Sequence, residues 1–157
     1  MKTGIFYYSK TGKNKKLVEM LNRNGDFEVE EIIDNKNRNG VVGFMKSGFE
    51  AITKRLTKIE NLKLNPDNFE HIIIGTPVWA GNLTPAIRTF LVRFKDSIKS
   101  YSVISTSGFG EKNKKILSDF EKILQKKPKA TLFISENELG KEDLNDKIDS
   151  FLKVIMK

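Results

Sequence analysis

Apolar residues occur along the chain in five short runs, and each run precedes a longer segment in which apolar positions recur every three or four residues. The run Ile72–Ile74 shows no alternation with polar residues, which is typical of a strand that is covered on both faces. The run that contains Val29 is less uniformly apolar and indicates an edge strand. Strands are therefore predicted around residues 2–8, 27–33, 70–75, 102–105 and 130–134.

Helical spacing of apolar residues follows each predicted strand. Leu17, Val18 and Leu21 indicate the first helix, and Pro85 suits the first position of a helix that begins near Thr84. Because strand and helix alternate to the end, we predict a doubly wound α/β fold with helices on both faces of a parallel sheet. One domain, residues 1–157, with a five-stranded sheet in the order 2-1-3-4-5, is the expected architecture.

The segment 39–56 carries an additional apolar stripe. Its members are Val42, Met45, Phe49, Ile52 and Leu56, at the spacing of one face of a helix. We predict that this face packs into the core as part of the second crossover. A cover over a ligand site and a contact with a second subunit are the two alternatives, since Val41, Phe44 and Ala51 widen the stripe.

Composition excludes several classes of function. The chain has no cysteine, so disulfides, thiolate nucleophiles and cysteine-ligated iron–sulfur clusters are excluded. The segment from Met1 to Tyr8 carries no basic-then-apolar leader, and no apolar stretch reaches the length of a membrane span. We expect a cytoplasmic protein without membrane contact. The formal net charge of +8 raises nucleic acid, an anionic membrane and acidic protein as possible partners, and charge alone does not choose among them. Aromatic residues do not interleave with the lysines, so nucleic acid is not expected.

The loop after the first predicted strand has the features of an anion site. A turn between a strand and a helix directs backbone N–H groups and a helix dipole to one place. Gly12 permits a close backbone approach, while a purely structural turn is the alternative. The pattern is neither a Walker A loop nor a dinucleotide-binding loop, because the required glycines are missing. The residues of this candidate site are Ser9, Lys10, Thr11, Gly12, Lys13 and Asn14.

The loop after the third predicted strand contains the only tryptophan of the chain, Trp79, among small residues. The carboxyl ends of parallel strands form the usual ligand crevice of such folds, so a planar ring system fits there. Packing of Trp79 against the protein interior is the alternative. The candidate residues of this loop are Thr76, Pro77, Val78, Trp79, Ala80, Gly81 and Asn82.

These two loops resemble those of the flavodoxin family. The first is similar to the TxTGxT phosphate loop, with Ser9 and Asn14 where that motif has threonines, and the second reads GTPVWAGNLTP. The resemblance implies FMN as the cofactor, with its phosphate in the 9–14 loop and its ring between the loops 76–83 and 106–111. It thereby adds Thr106, Ser107, Gly108, Phe109 and Gly110 to the site, with Phe109 either a second stacking face or a core residue.

The resemblance implies an electron carrier between redox partner proteins, and the alternative is an FMN-dependent NAD(P)H:quinone-type oxidoreductase. We predict no catalytic residue and no metal ligand, and we interpret His71, the only histidine, as structural. The oligomeric state is open, with a dimer as one alternative. A basic rim around the three loops is expected to steer acidic partners; its members are Lys10, Lys13, Lys15, Lys16, Arg88, Lys112, Lys114 and Lys115.

Overall fold

The computed structural model describes residues 1–108 and 110–157, apart from the side chains of residues 111 and 112. Five parallel strands form the sheet, in the order β2-β1-β3-β4-β5. Their bounds are β1 Thr3–Tyr7, β2 Glu28–Glu31, β3 His71–Gly75, β4 Tyr101–Ser107 and β5 Thr131–Ser135. The predicted fold class and strand order are confirmed.

Strand β4 is longer than the sequence predicts. It continues two residues beyond Ser105 because Thr106 and Ser107 still pair with Ile134 and Ser135 of β5. Thr106 and Ser107 therefore belong to the sheet and not to the loop that was expected from residue 106 onwards. Both side chains are buried, so the sheet itself fixes this part of the candidate site.

Five α-helices flank the sheet. Leu17 and Leu144 pack with Ile5 on one face of the sheet, and Ile87 and Phe120 pack with Phe6 on the other. Within the part of the chain that the structure describes, no helix is both long enough and apolar enough to cross a membrane. The helix bounds are α1 Lys13–Arg23, α2 Gly40–Ile52, α3 Pro85–Phe94, α4 Leu117–Leu124 and α5 Asp143–Ile155, and the 3-10 segments are Pro66–Asn68, Gly110–Ile116 and Glu136–Glu138.

Helix α3 begins as the sequence predicts. The Thr84 hydroxyl accepts a hydrogen bond from the backbone N–H of Ile87, and Pro85 occupies the first turn, where its missing N–H costs no hydrogen bond. The predicted start of α3 near Thr84 is therefore confirmed.

Helix α2 faces the opposite way from the prediction. The stripe that was expected in the core is exposed, from 52% at Leu56 to 79% at Val42. The inner face carries Ser47, Glu50 and Ala51 instead. The pattern correctly indicated an amphipathic helix, but the polar side is the one that packs on the protein.

Candidate functional site

A cavity of about 460 Å³ opens at the carboxyl ends of the strands, where ligands bind in folds of this class. Its walls come from the loops after β1 and β3, from the end of β4 and the residue that follows it, from α2, and from Glu136 after β5. The volume lies within the ~300–1,000 Å³ that is common for small-molecule sites. The lining residues are Lys10, Thr11, Lys13, Asn14, Phe44, Met45, Ser47, Gly48, Pro77, Val78, Trp79, Ala80, Thr106, Ser107, Gly108 and Glu136.

The loop after β1 ends at a left-handed residue. Gly12 has φ +82° and is the N-cap of α1, and its carbonyl accepts a hydrogen bond from the Lys16 N–H at 2.9 Å. The Ser9 hydroxyl accepts the Lys15 N–H at 3.3 Å. The N–H groups of Lys13 and Asn14, at the first turn, have no acceptor within the helix. Together with the helix dipole, they make this end of the cavity suitable for an anion.

Asn14 connects the first loop to the sheet. Its side chain is only 2% exposed, and its Oδ1 accepts a hydrogen bond from the backbone N–H of Thr106 at 3.1 Å. The amide oxygen therefore has a structural role, because it joins the first loop to β4. Thr11, in contrast, is exposed and lines the cavity.

The loop after β3 contains a hairpin that the sequence analysis missed. Val78–Trp79 and Asn82–Leu83 form two short antiparallel strands. The connecting residues Ala80 and Gly81 have φ of +48° and +73°, which is the signature of a type I′ turn. The usual sequence signal for this turn is Asn-Gly or Asp-Gly, so the pair Ala80-Gly81 did not indicate a hairpin.

Two cations lie close to the Trp79 ring. Its ring centroid is 5.5 Å from Lys10 Nζ and 5.4 Å from the guanidinium carbon of Arg38, and Tyr8 meets it edge to face at 5.7 Å. Burial lowers the pKa of Lys10, and the nearby charge of Arg38 lowers it further. The indole therefore has a defined position and forms one apolar wall of the cavity.

Arg38 was not identified from the sequence. It is buried, and it forms ion pairs with Asp34 and Glu50, each at 2.6 Å. Burial alone would lower the pKa of Arg38, but hydrogen bonds and charges from Asp34 and Glu50 raise it above its ordinary value. The available signal was the polar inner side of α2, where Ser47 and Glu50 are three residues apart.

The third wall comes from β4 and the residue that follows it. The Ser107 hydroxyl accepts a hydrogen bond from the Asn113 side chain at 2.6 Å, and Gly108 is exposed at the cavity. Phe109, the candidate second stacking residue, lies outside the described residues. Gly110 has φ +51° and packs against Ser135.

The cavity brings together most of the predicted site residues that the structure describes. Six of them lie outside its lining: Ser9, Gly12, Thr76, Gly81, Asn82 and Gly110. Thr76 is fully buried, and its hydroxyl donates to the Pro77 carbonyl. Five lining residues are absent from the predicted set: Phe44, Met45, Ser47, Gly48 and Glu136. The first four belong to the segment 39–56, for which a cover over a ligand site was one of the alternatives. Glu136 forms an ion pair with Lys13.

Two further predictions concern single residues. His71 is fully buried at the amino end of β3, away from the cavity, and hydrogen-bonds to Ser100 and Ser102. Its structural role is confirmed. Arg88 was placed in the exposed basic rim, and this was wrong: the side chain is buried and forms an ion pair with Asp119 at 2.7 Å.

No protein-family model and no curated protein matches the chain. Solved structures do match over nearly its whole length. The flavoprotein of Lactobacillus acidophilus in complex with FMN is 24% identical, covers 96% of this chain and 97% of its own, and superposes with a TM-score of 0.73. The flavodoxin of Fusobacterium nucleatum bound to FMN is 18% identical over 99% and 98%, with a TM-score of 0.60. The oxidised flavodoxin 1 of Bacillus cereus is 16% identical over 99% and 98%, with a TM-score of 0.55.

Proposed function

The chain has the flavodoxin-like fold, and we propose that it binds FMN in the cavity at the carboxyl ends of its strands and transfers electrons through it. The observation that carries this proposal is the cavity itself. It combines an anion-binding helix terminus with an apolar indole wall, and it lies at the point where this strand order places ligands.

The residues present fit both parts of FMN. Thr11, with the N–H groups of Lys13 and Asn14, would hold the phosphate. Trp79 would contact the ring, and backbone groups of residues 77–80 and 106–108 are at hand for its polar edge. FMN supplies the redox chemistry when bound, and the chain binds it, orients it and limits the access of water.

A titration with FMN and with riboflavin tests the cofactor and the phosphate site together. FMN should bind much more tightly, because its phosphate takes up charge-assisted hydrogen bonds that riboflavin lacks. Thr11→Ala should weaken FMN by about 1.5–3 kcal/mol and leave riboflavin unchanged. Ser118→Ala, an exposed hydroxyl on α4, is the matched control. Equal affinities for the two flavins would disprove the phosphate site.

The redox partner is proposed to be an acidic protein. The net charge is +8, and Lys15 and Lys16 are exposed beside the cavity, as are Lys10 and Lys13 in part. Complementary charge raises association rates at low ionic strength. Stopped-flow electron transfer to an acidic acceptor should slow as salt is added, and transfer to a basic acceptor should not. A flat response to salt with the acidic acceptor would contradict this proposal.

A second candidate is an FMN-dependent oxidoreductase that reduces a quinone-like acceptor. Phe44 and Met45 favour it, because they line the cavity and are also 73% and 69% exposed. They give the opening an apolar edge, which suits an apolar acceptor better than a charged protein. Steady-state oxidation of NADH or NADPH with a soluble quinone distinguishes the candidates, since an electron carrier shows no such turnover without a reductase.

A further inference from the structure

We propose that the outer face of α2 is the contact surface of a homodimer. This face, termed the α2 face below, consists of apolar residues of α2 and of the turn that follows it. Its members are Val41, Val42, Phe44, Met45, Phe49, Ile52 and Leu56.

The inner side of α2 is fixed by the buried polar network, so the α2 face has to point outward. Arg38 Nη1 donates to Glu50 at 2.6 Å and to Ser47 at 3.3 Å, and the Ser47 hydroxyl donates to the Gly43 carbonyl at 2.6 Å. A rotation of the helix that buried the stripe would break these bonds and leave the buried Arg38 guanidinium without Glu50, one of its two carboxylate partners. The apolar stripe therefore faces solvent in the monomer and is accessible to another protein surface.

The size of the α2 face matches an interface. The exposed fractions of its seven residues run from 52% to 79%. They present roughly 900 Å² to solvent, more than the ~300–600 Å² of the largest patch on a typical monomer and close to the ~800 Å² per partner of a standard interface. A face of this area that stayed uncovered would promote aggregation.

Some of the charged side chains around the α2 face are paired within the subunit. Lys36 pairs with Glu50 at 2.8 Å, and Lys54 pairs with Asp119 at 3.1 Å. Within Gly40–Ile52, all of which is described, Lys46 is the one exposed charged side chain. Two cations also lie over the face itself, with Lys10 Nζ 5.9 Å from the centroid of the Phe44 ring and the Arg55 guanidinium carbon 5.6 Å from that of Phe49. The apolar area of the α2 face, and not its charge, therefore favours a second copy.

The dimer would also change the cavity. Phe44 and Met45 belong both to the α2 face and to the cavity lining. Pairing of two α2 faces would therefore bring a second subunit to the edge of each cavity and restrict the access of water to it. The proposal does not depend on the identity of the ligand, because the α2 face is defined by the protein alone.

Sedimentation velocity and light scattering of the full chain, with and without FMN, test the proposal. We expect a dimer in both conditions. Val42→Glu should raise the dimer dissociation constant at least about 100-fold, because two carboxylates per dimer enter an apolar contact. Val42 lies in the first helical turn, where a carboxylate is favourable, and does not line the cavity, so the fold and FMN binding should be retained. Ile52→Glu, at the other end of the helix, should act in the same way.

Val154→Glu is the matched control, since Val154 is an exposed valine on α5, on the opposite side of the sheet. It should leave the dimer intact. A monomeric wild type, or a dimer that survives both Val42→Glu and Ile52→Glu, would overturn the proposal. So would a monomer that binds vesicles of phosphatidylglycerol through Val42. Absence of FMN binding in an intact dimer would reject the proposed function and leave the dimer standing.

Discussion

Asn14 and Thr106 are 92 positions apart in the sequence, and the Asn14 Oδ1 accepts the Thr106 backbone N–H at 3.1 Å in the protein interior. This hydrogen bond joins the start of α1 to the last part of β4. The proposed phosphate end of the cavity is thereby fixed to the wall that would face the flavin ring. The cavity is thus held in shape by the protein before any ligand enters.

Asn14→Ala should therefore lower both stability and FMN affinity. The substitution leaves the Thr106 N–H buried without an acceptor, which costs about 1–3 kcal/mol in the free energy of unfolding. Urea denaturation of the apoprotein measures this loss. Thr11→Ala is the control, because Thr11 is exposed and its change should reduce FMN affinity with little effect on unfolding. Equal unfolding free energies for the two variants would contradict the bracing role of Asn14.

Trp79 should report FMN binding through its fluorescence. It is the only tryptophan in the chain and lines the cavity, so contact with the flavin ring should quench its emission strongly. Trp79→Ala should weaken FMN binding by about 0.5–1.5 kcal/mol beyond the loss of contact area. Riboflavin, added at a concentration that saturates the protein, should quench to the same extent as FMN. Unchanged emission on saturation with FMN would place the ring elsewhere.

The buried network beneath α2 should matter for stability. Glu50→Gln removes one carboxylate from Arg38, while Asp34 remains, so the free energy of unfolding should fall by about 2–4 kcal/mol. Glu28→Gln is the control, since the Lys2–Glu28 pair is about half exposed and contributes less than about 1 kcal/mol.

The cost of Glu50→Gln should also depend on pH. Burial acts to raise the pKa of Glu50, but hydrogen bonds from Lys36 and Arg38 lower it below its ordinary value. A carboxyl with a lowered pKa stabilises the fold above its unfolded pKa of about 4.3, and that contribution is lost as the pH falls below it. The difference between wild type and variant should therefore shrink on acidification. A difference that stays constant from pH 7 to pH 3 would show that the charge of Glu50 is not what stabilises the fold.

The strands and helices were predictable from the sequence, because burial on both faces of a parallel sheet leaves a strong pattern. The sheet order followed from the usual order of five-stranded doubly wound folds. The orientation of α2 was not predictable from the sequence. Periodicity shows that one side of a helix is apolar, but it does not show whether that side meets the core or another surface. Glu50 and Ser47 become an inner face only once Arg38, from outside the helix, lies against them.

The site was predictable where local motifs carry it and unpredictable where distant segments meet. Gly12 and Trp79 can be recognised as site residues from the sequence of their own loops. Ser47 and Glu136, by contrast, reach the cavity from segments far away in sequence, and no local pattern marks them as site residues. The bond between Asn14 and Thr106 belongs to the same class, because it depends on the register of the folded sheet.

The hairpin turn should tolerate changes at its two central residues unequally. Gly81 has φ +73°, a backbone conformation that alanine adopts at a cost. A Cβ at this position would meet no atom closer than Lys115 Nζ, at 3.8 Å, so there is space for the methyl group. Gly81→Ala should therefore lower the free energy of unfolding through the backbone conformation alone, by about 1 kcal/mol. Ala80 already has φ +48°. Ala80→Gly relieves that strain but adds freedom to the unfolded chain, so its net effect should stay within about 0.5 kcal/mol. Thermal unfolding of both variants checks this, and equal losses would argue against a type I′ turn.

His71 should make the stability of the protein depend on pH in mildly acidic solution. Burial, together with the charge of Lys129, lowers its pKa from 6.5 to about 4. The unfolded chain therefore takes up a proton at a higher pH than the folded chain does. The stabilisation is complete above about pH 6.5 and is lost as the pH falls towards 4, at up to ~1.4 kcal/mol per pH unit near pH 5. Because His71 is the only histidine, urea unfolding between pH 7 and pH 5 isolates its contribution from those of the carboxylates. His71→Gln should lower stability at pH 7 and remove most of the slope over this range, and an equal slope in wild type and variant would assign the titration to another group.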